Sequence, residues 1–282
     1  MEKYKKIYVF TTAGGKYKTW YEKFTLPSLQ PCFKKLAAEG YTIDLIQNGF
    51  DISREDGNMP KPEEFQRYGA TDEVSCIILP GLRAVMQKCI DEDAIFFLAP
   101  PDTIFAKDTM YNMVKLSEHK PDCIALPHIR MTIPDEDVVA PTSRELVGLA
   151  FKYAHDAFMG CFDTDEKNGT HAGISVRKIN DNVYSMVHNL PTVYLAKFTA
   201  RDLHFWNNMP VWGNWDRAWL RMLFLENRVK VIGGSALGFC VELTEKESNK
   251  PERVPNLQYN DKYFINDVHN MGFNRMYFSL EK

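Results

Sequence analysis

The sequence predicts an α/β protein, with a mixed but mostly parallel central sheet flanked by helices. Three observations predict it. The short, nearly continuous apolar runs Ile7-Tyr8-Val9-Phe10 and Ala94-Ile95-Phe96-Phe97-Leu98 read as strands buried on both faces. Pro100-Pro101 stops the second run, because neither proline can donate to a ladder. Between the runs lie helix signals and a further strand, the order of parallel βαβ units.

The first strand covers Lys6–Thr12 and ends in Thr11-Thr12-Ala13-Gly14-Gly15. Small residues and paired glycines allow close backbone approach to a ligand, or turns with positive φ. They are not a phosphate loop, since the GxxxxGK[ST] spacing is missing. A helix is expected over Leu26–Glu39, with Pro27 in its first turn and Gly40 at its stop. Tyr41–Asn48 is the second strand, ended by Asn48-Gly49, and Asp51–Thr71 is a polar surface excursion. A helix over Val74–Asp91 leads to the strand that ends before Asp102. Another helix, Asp108–Glu118, precedes a strand over Cys123–Met131, and Ser143 starts a helix that runs to His155. Phe158–Ala172 reads as loop, with Gly169-Thr170-His171-Ala172-Gly173 placed to close over a site. Late strands are expected at Thr192–Phe198 and Val229–Gly233, separated by the aromatic segments Leu203–Trp206 and Trp212–Trp219 and a helix to Asn227. The chain divides into a body over 1–245 and a charged extension over 246–282 packing on it.

Composition narrows the function classes. The chain has 282 residues, enough for a sizeable core, and its 45% apolar and 25% charged content is that of a globular protein. Thirty-four basic against thirty-seven acidic residues give a net charge of −3, so no large nucleic-acid surface is signalled. The apolar run after the charged N-terminus is too short for a signal peptide, and nothing approaches the roughly 20 apolar residues of a membrane span. The six cysteines are scattered without a CxxC pair, and read as reduced, buried thiols of a cytoplasmic protein.

Asp102 follows the Pro-Pro stop and so stands at the carboxyl end of a central strand, where open α/β sheets bind ligands. A carboxylate there suits a divalent cation or a sugar hydroxyl; otherwise it caps the turn before Thr103. Asp216 lies where a Trp-Gly-Asn-Trp loop becomes a helix, beside Trp212, Trp215 and Trp219. Tryptophan faces stack on sugars, and an apolar surround raises a carboxylate's pKa towards that of a general base. The alternative is an acid serving the helix dipole, with the tryptophans in the core. Arg130 and His128 end the Cys123–Met131 strand, expected beside the strand of Asp102 in the usual order, and Arg130 is placed to hold a diphosphate bidentately or to form a surface ion pair. Arg144 offers the same, with Glu145 as a simple local partner. His155 and His171 are looser candidates.

Several pieces in this order resemble the GT-A-type glycosyltransferases, which use nucleotide-diphosphate sugars on a Rossmann-like sheet. The pieces are Ile7–Thr12, the stretch Phe97-Leu98-Ala99-Pro100-Pro101-Asp102-Thr103-Ile104-Phe105, Thr142–Ala150 leading to His155, Asn214-Trp215-Asp216 and Val229-Lys230-Val231-Ile232. The family's Asp-x-Asp metal motif lacks its first acid here, because Pro100 stands in that place. The resemblance implies a nucleotide pocket lined by Thr11, Thr12 and Ala13, and a donor that is a nucleotide-diphosphate sugar, a UDP-sugar first among them. It also implies Mg²⁺ or Mn²⁺ on Asp102, with His204 as a late metal ligand unless His204 packs among Phe205 and Trp206. The acceptor is open: a glycan, or a hydroxymethylated DNA base. Two other classes fit the same residues: a non-catalytic binding or scaffold protein on this fold, and a sugar-phosphate nucleotidyltransferase, which normally wants a Gly-rich loop ending in Arg and Lys near the N-terminus.

Overall fold

A computed structural model of the chain describes residues 5–70, 73–118, 122–126, 128–153, 170–171, 174–180, 183–188, 193–208, 219, 223, 228–231, 238 and 240–244. The central sheet has nine strands. Three of them, β2 (Thr42–Asn48), β1 (Lys6–Thr12) and β3 (Ile95–Leu98), run parallel in that spatial order. Next comes β10 (Val193–Ala196), antiparallel to both β3 and β5 (Cys123–Leu126). Parallel to β5 lies β11 (Val229–Val231), followed by the antiparallel strands β9 (Val183–His188), β8 (Ile174–Asn180) and β7 (Thr170–His171). A second sheet holds β4 (Thr103–Phe105), β12 (Cys240–Thr244) and β6 (His128–Thr132), with β12 in the middle.

The apolar runs are strands buried on both faces, as their composition predicts. Ile7, Val9, Ile95 and Phe97 point to one side, under α2 (Leu26–Ala38) and α4 (Thr109–Ser117), where they meet Leu29, Cys32, Met110 and Met113. Tyr8, Phe10, Phe96 and Leu98 point to the other, under α3 (Glu73–Asp91) and α6 (Ala200–Asn207), against Leu79, Leu82, Met86 and Trp206. A third cluster, with Phe24, Ile104, Leu146, Ala150 and Val241, packs α5 (Ser143–Tyr153) on the second sheet.

Several expectations need correction. The helix expected from Leu26 begins ten residues earlier: α1 (Lys16–Trp20) and a π-helical turn (Tyr21–Thr25) run into α2 without leaving helical backbone. The expected strand Cys123–Met131 is two strands in two sheets, with Pro127 between them, a residue that has no amide for a continuing ladder. Within the expected loop Phe158–Ala172, Thr170 and His171 form β7. Strands β4, β8, β9 and β12 add to the expected set. Ser143 does start α5, and Thr142 before it is the cap, its amide and hydroxyl both donating to Glu145. The segments 209–218 and 245–282, with Asp216, Trp212, Trp215 and the expected C-terminal extension, lie outside the described residues, as does His155.

Polar clusters tie the amino ends of the strands. Asp202 is fully buried, and Arg228 grips it with two bonds of 3.1 and 2.7 Å while its Nε reaches Asp122 at 2.9 Å. The Asp202 carboxylate also accepts from the Thr199 amide and hydroxyl, both at 2.8 Å, and from the Trp219 indole at 3.2 Å. Cys123 donates its amide to the Arg228 carbonyl. One arginine thus joins the starts of α6, β5 and β11.

Candidate active site

The connections decide where a ligand crevice forms. From β1 the chain crosses by α2 to β2 on one flank, whereas from β3 it goes on by β4 and α4 to β5 on the other flank. The strand order thus reverses while α2 and α4 share one face. The carboxyl ends of β1 and β3 therefore diverge at a topological switch point, the place where open α/β sheets bind ligands. Thr11, Thr12 and Ala13 come from β1, and Ala99, Pro100, Pro101 and Asp102 from β3. The Ala99 amide donates to the Phe10 carbonyl at 2.9 Å, which keeps the two strand ends together. Two of the predicted groups of site residues are thus neighbours.

Local structure shapes each edge of this crevice. Gly14 is there for packing: a Cβ would come within 2.0 Å of the Ile52 carbonyl oxygen, so only glycine lets the loop after β2 close on β1. Gly15 takes a φ of 52° as the chain turns into α1. Asn48, which sequence reasoning treated only as a turn residue, donates from Nδ2 to the Thr12 hydroxyl at 3.3 Å and to the Ile77 carbonyl at 2.7 Å. It orients Thr12 from the neighbouring strand. Thr11 and Thr103 each carry a fully buried hydroxyl with no hydrogen-bond partner. Such groups cost stability unless something else meets them, and both stand beside the crevice.

Asp102 is half-buried and belongs to both sheets: its carbonyl accepts from the Leu243 amide of β12 at 2.6 Å, and β4 begins at the next residue. In register, Thr103 of β4 faces Glu242 of β12, which faces Arg130 of β6. Strand spacing puts Arg130 about 10 Å across the ladder from Thr103. The expectation that Arg130 lies on the strand next to Asp102 is corrected, because β10 intervenes between β3 and β5. The second sheet nevertheless returns it to the same end. Glu242 between them has no signal in the sequence beyond its polarity in an apolar run.

His204 and Arg144 sit elsewhere. Because β10 runs antiparallel to β3, α6 begins at the sheet end opposite Asp102, and His204 is exposed on that helix. Its packing among Phe205 and Trp206 does not occur either, since only those two rings are buried. Arg144 is exposed in the first turn of α5, which starts beside the far end of β4, where the Lys107 amide meets the Pro141 carbonyl. Glu145 serves Thr142 rather than Arg144, and those two bonds hold its carboxyl below the usual range. Trp219 takes the core position: it is buried and bonded to Asp202. His171 lies on β7, at the edge of the sheet farthest from β1 and β3.

The five described cysteines are buried, free thiols, and burial pushes Cys89 up to about 12 and raises Cys32 and Cys123. Burial thus disfavours the thiolate at those three. Among the described residues no helix is long and apolar enough to cross a membrane, and no three His, Cys, Asp or Glu side chains gather where they would hold a metal ion. Comparison with protein-family models and with curated proteins finds no match.

Proposed function

We propose that the chain is a glycosyltransferase on a GT-A-type fold, moving a sugar from a nucleotide-diphosphate sugar to an acceptor hydroxyl. The observation that carries the reading is that the strands leading to Thr11–Ala13 and to Asp102 lie side by side at the switch point between β1 and β3. The shared direction of β2, β1, β3, β5 and β11 supports it, although the sheet is mixed rather than mostly parallel, with five of its eight described strand pairings antiparallel.

In this reading Thr11, Thr12 and Ala13 line the pocket for base and ribose, with Asn48 fixing the Thr12 hydroxyl. Asp102 faces the diphosphate end. Among the described residues no three metal-ligating side chains gather, so Asp102 fits Mg²⁺ or Mn²⁺ only together with the donor's own phosphate oxygens, the usual way Mg²⁺ is held at phosphates. Such an ion would neutralise charge on the leaving diphosphate. Arg130 is a basic residue at the same sheet end. Asp216 takes the acceptor proton; the acceptor oxygen bonds to the sugar carbon as the bond to the diphosphate breaks, and the nucleoside diphosphate leaves. The acceptor is a glycan or a hydroxymethylated DNA base, and the cytoplasm is the expected compartment.

Pro100 in place of an acid, and His204 at the other end of the sheet, favour a second reading: a binding or scaffold protein that keeps the nucleotide-sugar fold. Thermal unfolding against UDP-, GDP- and dTDP-sugars, with and without Mn²⁺, separates the two. The transferase reading expects one donor to raise the midpoint through linkage and to be turned over. No shift with any donor, or binding without turnover, removes the transferase reading and favours the scaffold.

A further inference from the structure

The π-helical turn Tyr21–Thr25 ends on a residue that reaches the Asp102 turn. Such turns insert one residue into a helix and recur at functional sites. Thr25 is fully buried. Its hydroxyl donates to the Pro101 carbonyl at 2.9 Å and accepts from the Thr103 amide at 3.2 Å. One hydroxyl therefore holds the peptide groups on both sides of Asp102. One turn along the helix, Ser28 accepts from the Phe105 amide at 3.1 Å and donates to the Thr25 carbonyl at 2.7 Å. The two hydroxyls stand in for a strand along the edge of β4 that β12 leaves unpaired. Pro100 and Pro101 have no amide to anchor their own turn. Its position thus depends on Thr25 from the helix side and on the Leu243 amide from the sheet side.

We propose that Thr25 is a positioning residue for Asp102: its hydroxyl fixes where the carboxylate is presented to the diphosphate end of a nucleotide sugar. The inference rests on the reading of Asp102 given above. Ser28 makes equivalent bonds one step further from Asp102, so it serves as the structural control.

The test compares Thr25→Val, Thr25→Ser, Ser28→Ala and Asp102→Asn, using UDP-, GDP- and dTDP-glucose with Mn²⁺ as probes. Thr25→Val is expected to speed amide exchange at Thr103 and to weaken binding of the recognised probe by about tenfold, the scale of one or two lost hydrogen bonds. Thr25→Ser restores both. Ser28→Ala lowers thermal stability comparably yet binds as wild type. Should valine not fold, Thr25→Cys keeps the volume, weakens the bonds and is read the same way. If Asp102→Asn loses binding while Thr25→Val keeps it, the inference alone is overturned. If the wild-type protein binds none of the probes, or Asp102→Asn binds normally, the reading falls and takes the inference with it.

Discussion

The two ends of the central sheet treat their polar groups in opposite ways. At the amino ends, charges are matched in closed sets. Arg228 holds Asp202 and Asp122, Lys6 holds Glu92 and Asp44, and Lys115 joins Glu39 and Glu118, with the hydroxyls of Tyr8, Tyr41 and Tyr111 completing the sets. At the carboxyl ends of β1 and β3 the backbone turns carry a proline pair, a glycine pair and one acid, and the Thr11 hydroxyl is buried without a partner. An end whose donors and acceptors satisfy one another has nothing left for a ligand. At the other end the buried hydroxyls of Thr11 and Thr103 are held in place with no partner of their own, as binding chemistry requires.

The largest effect is expected where the matching is tightest. Arg228→Met leaves the Asp202 carboxylate buried opposite an apolar side chain, with only Thr199 and Trp219 to hold it. Breaking a buried pair in this way costs about 3–5 kcal/mol, readable as a fall in the urea midpoint. Adding Asp202→Asn removes the stranded charge and should recover part of the loss. Neither variant should alter nucleotide-sugar affinity beyond its effect on the folded fraction. A large affinity change would mean that the two ends are coupled, and the division drawn here would fail.

Asp102→Asn is the converse test at the open end. Asp102 holds its turn through its backbone carbonyl, and asparagine retains that bond to Leu243. The change to this half-buried residue should cost less stability than Arg228→Met, about 1 kcal/mol, the centre of single-substitution effects. Donor binding and turnover should be lost together. A destabilisation comparable to that of Arg228→Met would make Asp102 a structural acid.

This contrast explains what could be read from the chain. The strand before Asp102 was legible because its signals are local: an apolar run, two prolines and an acid, all within twelve residues. The capping pattern of Thr199 and Asp202 was equally local, but nothing nearby announces that Arg228, 26 residues on, completes it. Strands β4 and β12 escaped because three- and five-residue strands show no period, and their pairing joins residues more than a hundred positions apart. His204 misled for a related reason. The resemblance implied a late histidine ligand, whereas the antiparallel direction of β10 decides at which end of the sheet α6 begins. Thr25 was hidden by distance too, since its partners are 76 and 78 residues away.

The smallest effect is the pH dependence of the surface part of the closed end. Glu39 is held below its usual pKa by hydrogen bonds from Tyr111 and Lys115, and Glu92 by those from Lys6 and Tyr8. A carboxylate whose pKa is depressed by folding stabilises the native state above its unfolded pKa, about 4.3 for glutamate. That contribution disappears as pH falls through the lower, folded value. Both groups are exposed and screened, so the urea midpoint should stay flat from pH 7 to about 5 and slope gently downward below about 4.3. Glu39→Gln with Glu92→Gln should flatten that slope in part while leaving nucleotide-sugar binding at neutral pH unchanged. An unaltered slope would assign the acid sensitivity to other carboxylates, and altered binding would show that charge at the amino ends is felt at the crevice.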